Sequence, residues 1–266
     1  MKILVCIKQI PDTTDIKWTE NNTIQREGLE SVINPYDIFA IQEALNIKKI
    51  LRSAQNDDMK NTEITAISMG PLQAQDILKK AIAMGCDNAV LLSDKKFSGA
   101  DTYATAKTIS SAIKTNFPDF DLIFCGQFAI DGDTAQTGPG IASFLNIPQV
   151  TFVKNIKKYE ENSLYAVREL EDGFETVKVE FPALICVLKG DYEPVRPTIQ
   201  GTIKAQNTKI RILGVDDIGL TSDDVGIKGS PTYVSKAFRP EHNRGECSYC
   251  SDIDELANKI KEYINE

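Results

Sequence analysis

The sequence predicts an α/β protein: a parallel sheet covered by helices on both faces, with a β-rich extension at one edge and a C-terminal arm. Three observations predict it. Short apolar runs alternate with segments of helical period through the first 150 residues, the βαβα order that builds parallel sheets through right-handed crossovers. The stretches that follow those runs, Lys8 to Asp12, Met69 to Pro71 and Gly126 onward, are polar or glycine-rich, and ligands in such sheets bind beyond the carboxyl ends of the strands. The chain has 266 residues, enough for one large core, or for one core and a small appended lobe.

The elements follow in order. Lys2 to Ile7 reads as a buried strand, and Tyr36 to Arg52 as a helix with apolar positions at Ile38, Ile41, Ala44, Leu45 and Ile50. Glu63 to Met69 is a strand closed by Gly70-Pro71, and Gln73 to Met84 a helix whose end suits Gly85. Ala89 to Leu92 is a strand, Asp101 to Lys114 a helix, and Asp121 to Cys125 a strand. The pattern then changes. Gln149 to Asn155, Leu164 to Leu170 and Phe174 to Phe181 read as strands, with Glu171-Asp-Gly173 as a hairpin turn, so residues 149–181 extend the sheet. Ala183 to Leu188 returns to a buried strand and completes an α/β domain over 1–189. From Gly190 periodicity fades, and residues 190–266 read as a partner-recognition loop, an extended arm and a terminal helix, Asp252 to Ile264. Its apolar stripe, Ile253, Leu256, Ala257, Ile260 and Ile264, needs a surface, on a partner subunit or on its own core.

Charge and composition exclude several functions. Thirty Lys and Arg against 38 Asp and Glu leave a net charge of −8, which argues against nucleic acid or an anionic membrane as partner. No apolar run approaches the roughly 20 residues that span a bilayer, and the N-terminus carries a strand pattern in place of a secretory signal. Of six scattered cysteines, four lie in or beside apolar runs, as expected of small core residues in a reducing cytoplasm. A single histidine, His242, makes a Ser-His-Asp mechanism improbable. There is no P-loop and no Gly-x-Gly-x-x-Gly after the first strand. A chain without catalytic equipment of its own points to a bound cofactor as the reactive group.

Gly126-Gln-Phe-Ala-Ile-Asp-Gly-Asp-Thr-Ala-Gln-Thr-Gly138 joins a strand to a helix at Ile141 to Leu145. Free backbone N–H groups, hydroxyls and the positive end of a helix dipole suit a phosphate there. Thr134, Gln136, Thr137 and Gly138 are the expected contacts, with Pro139 in the first helical turn. An alternative start makes Asp133 the N-cap of a capping box with Gln136. The bland alternative is an ordinary capped helix. His242-x4-Cys247-x2-Cys250 offers three metal ligands, one short of a closed zinc set, or two solvated thiols.

Gln127 to Gly138 resembles the nucleotide loop of the electron-transfer flavoprotein beta subunit. Further signatures stand in that family's order: Ile3-Leu-Val-Cys-Ile-Lys-Gln-Ile-Pro-Asp12, Asn34-Pro-Tyr-Asp37, Met69-Gly-Pro71, Ala81-Ile-Ala-Met-Gly85 and Glu193-Pro-Val-Arg-Pro-Thr198. The resemblance implies the adenine-nucleotide alpha-hydrolase-like fold and a heterodimer with an alpha subunit that holds an electron-transferring FAD. It implies adenine and ribose near Cys6, Lys8, Asn34, Asp37 and Met69, and phosphates from Ala129 to Gly140. Asp131 and Asp133 would repel phosphate, so they are expected to hold hydroxyls, shape the loop or cap the helix. Asn34-Pro-Tyr-Asp37 also reads as a helix-initiating turn. Asp131-Gly-Asp-Thr-Ala-Gln-Thr-Gly-Pro139 resembles the electron-bifurcating branch, where Gly132 and Ala135 leave room for a diphosphate that continues into FAD. That branch oxidises NADH and splits the electrons between a low-potential acceptor, ferredoxin or flavodoxin, and a flavin-dependent dehydrogenase of the acyl-CoA or 2-hydroxyacid type. The alternative is the housekeeping branch, with structural AMP in a non-catalytic docking subunit. Ile199 matches the aliphatic side chain that the family presents to its client dehydrogenase; a buried loop residue is the alternative.

Overall fold

The computed structural model describes residues 1–12, 31–53, 61–235 and 249–265. The elements are β1 (Lys2–Cys6), β2 (Gln9–Pro11), β3 (Ser31–Ile33), α1 (Pro35–Ser53), β4 (Glu63–Met69), α2 (Gln75–Met84), β5 (Asn88–Leu92), α3 (Thr102–Asn116) and β6 (Leu122–Gly126). They continue with α4 (Thr137–Leu145), β7 (Gln149–Glu160), β8 (Ser163–Leu170), β9 (Gly173–Glu180), β10 (Ala183–Val187), α5 (Ile199–Asn207), β11 (Arg211–Leu213), α6 (Gly226–Gly229) and α7 (Ile253–Asn265). Among the described residues nine strands share one sheet, in the order β11-β5-β4-β1-β6-β10-β7-β8-β9. Pairing is parallel from β11 to β7 and antiparallel across β7, β8 and β9. This is the α/β sheet with an edge extension that the alternating pattern implies.

Successive residues of the central strands enter opposite cores, because side chains alternate across a sheet. Ile3, Val5, Phe124 and Ile185 join α1 and α2 on one face. Leu4, Cys6, Ile123 and Cys125 join α3 and α4 on the other. Burial on both faces is why these strands read as continuous apolar runs. Helix α3 is capped by Asp101, whose carboxylate accepts the Ala104 N–H at 2.9 Å. Gly85, at φ 132°, ends α2. The stripe of α1 differs from expectation by part of a turn: Ile47 and Leu51 are buried with Ile41 and Ala44, whereas Ile50 is exposed.

Residues after Gly190, expected to form an extended arm, fold back as far as Val234 into the same compact unit, Met1–Val234. Here α5 packs on α2, β11 pairs with β5 at the opposite edge of the sheet, and Val215, Ile218 and Val225 are buried with the α3 side chains. Short apolar pieces separated by Gly and Asp carry no long period, so their burial was invisible in the sequence. The second unit is Ser235–Glu266. Its α7 is capped by Asp252, which accepts the Glu255 N–H at 2.9 Å, while Glu255 accepts from Ser251 N at 2.9 Å. Ile253, Leu256, Ile260 and Ile264 are exposed. No described helix is long and apolar enough to cross a membrane.

Candidate functional site

The strand order reverses at β1: the chain runs outward through β4 and β5, then returns to β6 on the other side. The crevice between β1 and β6 is therefore the topological switch point, where open α/β sheets bind ligands. One carboxylate holds its walls. Asp37, in the first turn of α1, accepts the Lys8 N–H at 2.7 Å and the Gly126 N–H at 3.0 Å, one on each oxygen. Gly126 lets the helix come this close, since a Cβ there would stand 2.5 Å from Asp37 Oδ1 and 2.6 Å from Tyr36 Cβ. Burial pushes the Asp37 carboxyl up to about 7, against the pull of the Lys8, Asn34 and Gly126 hydrogen bonds. Asn34 is fully buried; its Nδ2 donates to Phe128 O at 2.7 Å and its Oδ1 accepts from Ile130 N at 3.3 Å. Asn34 and Asp37 thus both lie at the crevice, and the hydrogen bonds they make there fasten the loop to the sheet.

Beyond Phe128 the loop turns on Ala129, whose carbonyl accepts from Gly132 N at 3.0 Å and Asp133 N at 2.7 Å. Asp133 and Ala135 have left-handed backbones, φ 48° and 54°, and Gln136 returns to the right-handed region. Among the described residues, the N–H groups of Thr134, Ala135, Gln136, Thr137 and Gly138 have no acceptor. Alternating left- and right-handed residues turn successive N–H groups into one concavity, an anion nest. The positive end of the α4 dipole adds to it. Pro139 sits in the first turn of α4, as expected.

The capping box is not formed. A left-handed Asp133 lies outside the helix, and the Gln136 side chain instead accepts from Thr102 Oγ1 at 2.8 Å. Asp131 pairs with Lys8, Nζ to Oδ1 2.5 Å, and its side chain is nearly buried. The pair places a cation beside the nest and neutralises the carboxylate that would repel an anion. Gly138 is one of the expected phosphate contacts. Its Cβ would lie 2.5 Å from Cys186 Sγ and 2.8 Å from Cys125 Sγ, so packing of α4 on β6 and β10 already requires glycine. At Gly132 a Cβ would meet nothing nearer than Lys8 Nζ, at 3.9 Å.

Cys6 is buried, and burial with the nearby Asp37 charge pushes its thiol up to about 12, which leaves an uncharged apolar wall. Met69 ends β4, half-buried against the same core. Gln9 went unnoticed in the sequence: it is buried, and neither Nε2 nor Oε1 has a partner. A polar residue between Ile7 and Ile10 was the available signal. Unpaired buried amides are rare, and this one follows Lys8 directly. An N–H nest, a cation and apolar walls at one switch point suit a ligand with both phosphate and apolar parts.

A second feature stands on α1 and α2. The Tyr192 ring packs edge-on against Phe39, centroids 5.5 Å apart, and its hydroxyl donates to the buried Glu43. Val195 N donates to Gln42 Oε1 at 2.7 Å, and Thr198 N to Ala83 O at 3.2 Å. Thr198 caps α5 by accepting from Gly201 N at 2.9 Å. On this base Ile199 is 83% exposed, as the first residue of a helix and not a loop side chain. His242 and Cys247 lie outside the described residues; Cys250 is a free, partly exposed thiol.

Residues 21–217 match the model of the electron transfer flavoprotein domain. The chain is 42% identical to the electron transfer flavoprotein subunit beta of Thermoanaerobacterium thermosaccharolyticum, over 100% of this chain and 98% of that protein. It is 39% identical to the caffeyl-CoA reductase-Etf complex subunit CarD of Acetobacterium woodii, with the same coverage. It is 40% identical to the acryloyl-CoA reductase electron transfer subunit gamma of Anaerotignum propionicum, over 90% of this chain and 89% of that one. A crevice that fits a nucleotide and likeness along the whole chain agree: this protein belongs to the electron transfer flavoprotein family, as a beta subunit.

Proposed function

We propose that the chain binds FAD at the switch point, works in a heterodimer with an alpha subunit, and takes part in NADH-dependent electron bifurcation. The observation that carries the reading is the run of unpaired N–H groups from Thr134 to Gly138 beside Lys8. That run suits a diphosphate, which offers several anionic oxygens in a row. The open space at Gly132 supports a ligand longer than a monophosphate. Bound FAD would supply hydride acceptance from NADH and delivery of the electrons to separate acceptors. The chain's own residues bind and orient: Asp131 holds Lys8, Asn34 holds the loop, and Cys6 and Met69 line the apolar wall.

Ile199, raised on its base, is the contact for a client dehydrogenase; ferredoxin or flavodoxin is the low-potential acceptor. Two of the relatives are named as parts of caffeyl-CoA and acryloyl-CoA reductases, which supports a CoA-thioester enzyme as client over a 2-hydroxyacid one. The test is release of nucleotide from the purified heterodimer, after the alpha subunit's FAD has been counted. A second equivalent absorbing visible light supports the reading. Release of AMP in its place returns the chain to a docking subunit with a structural nucleotide.

A further inference from the structure

We infer that Gln127 is a positioning residue for the nucleotide loop, coupling the antiparallel extension to nucleotide affinity. Where β10 advances two residues, from Ile185 to Val187, β7 advances three, from Val150 to Val153. The extra residue makes a bulge at Phe152, whose φ is 58°. Left-handed backbone disfavours a bulky aromatic, and such strain persists only where its surroundings hold it. Here the holder is Gln127. Its side chain is buried, and its Oε1 accepts the Phe152 N–H at 2.6 Å. Its own N–H is fixed to Val187 O at 2.8 Å.

The consequence reaches the loop. Phe152 packs edge-on against Phe128, centroids 5.9 Å apart, and Phe128 packs in the same way on Tyr36, at 5.5 Å. Phe128 is the residue whose carbonyl receives Asn34 Nδ2, and the next residue, Ala129, carries the turn that opens the nest. A chain of contacts therefore runs from a strained strand, through one carboxamide and the rings of Phe152 and Phe128, to the start of the phosphate loop. An unstrained β7 would carry the ring of residue 152 elsewhere and leave Phe128 held from one side only. Functional sites commonly store strain of this kind; here it lies beside the loop that it sets.

The inference rests on the nucleotide reading above, so its test separates the two. Binding of FAD and of AMP is measured on the nucleotide-stripped heterodimer for wild type, Gln127→Met, Phe152→Gly and the double variant. Gln127→Met keeps the volume and removes the acceptor; Phe152→Gly adopts φ near 58° without help but removes the ring. The expected result is a Kd raised about tenfold by Gln127→Met alone, and by less than about threefold when glycine already stands at 152. Equal effects in both backgrounds, or wild-type affinity in Gln127→Met, overturn the inference. If Gln127→Met does not fold, amide exchange in Phe152→Gly decides. Gly132 and Asp133 N–H should exchange faster than in wild type while β6 is unchanged; unaltered exchange overturns the inference. Should wild type bind neither nucleotide, the functional reading fails, and the exchange measurement still judges the coupling.

Discussion

Two segments carry the candidate functions, and they are built in opposite ways. Among the described residues, 127–138 leave five consecutive backbone donors without acceptors and hold two non-glycine residues in left-handed conformations. Residues 192–201 instead tie the N–H groups of Val195, Thr198 and Gly201 to acceptors and present an apolar side chain. On the function proposed above, the first would recognise its ligand with backbone, whose dipoles suit an anion. The second would recognise with a side chain, which serves a protein partner only if its base is rigid. The two candidate segments thus differ in where their N–H groups go.

The largest expected effect comes from Gly138→Asp. The new side chain meets two buried sulfurs, and overpacking at such a contact costs on the order of 3 kcal/mol. Thermal unfolding should show a lower midpoint together with loss of nucleotide; nucleotide loss at an unchanged midpoint would mean that the packing reason is wrong. Lys8→Met comes next, because it removes the cation beside the nest and leaves Asp131 unpaired. Nucleotide affinity should fall roughly 10- to 100-fold, and titration calorimetry that finds no loss would detach Lys8 from the site.

On the docking side, Ile199→Ala should slow electron transfer to the client about tenfold while nucleotide content stays at the wild-type level. Gly201→Ala should act in the same direction without touching Ile199, since its Cβ would fall 2.1 Å from Ala83 O. Loss of nucleotide in either variant would dissolve the division between the two segments.

Asp37 gives a pH dependence with a definite sign. Its folded-state value, about 7, lies above that of an ordinary aspartate. The stability it contributes is therefore complete below the ordinary carboxylate range and drains away as pH rises through 7. Urea unfolding at pH 5.5 and 8.5 should show wild type losing stability relative to Asp37→Asn; a parallel loss in both proteins would place the titration elsewhere. The smallest effect belongs to Gly132→Ala, which meets open space and should change stability by less than about 0.5 kcal/mol. Only a bulky residue at 132 should displace nucleotide, and dialysis of an alanine and a tryptophan variant would separate the two cases.

The sequence by itself determined the central strands of the sheet, the edge extension and the position of the loop, because those depend on period and on local turn chemistry. Glu63–Met69 was found at its observed limits, and Thr102–Asn116 to within two residues. Signals that repeat every two or 3.6 residues survive in one dimension. It did not determine why particular residues stand where they do. Gly138 answers to Cys125 and Cys186, Gly126 to Asp37 and Tyr36, and Gly201 to Ala83, each remote in the chain. The same holds for Asp131, whose partner Lys8 lies 123 residues away, and for Gln127, whose partner is a bulge in another strand. Only the tertiary structure decides such roles, because which backbone donors remain free, and which side chain holds a strained turn, depends on neighbours that folding alone brings together.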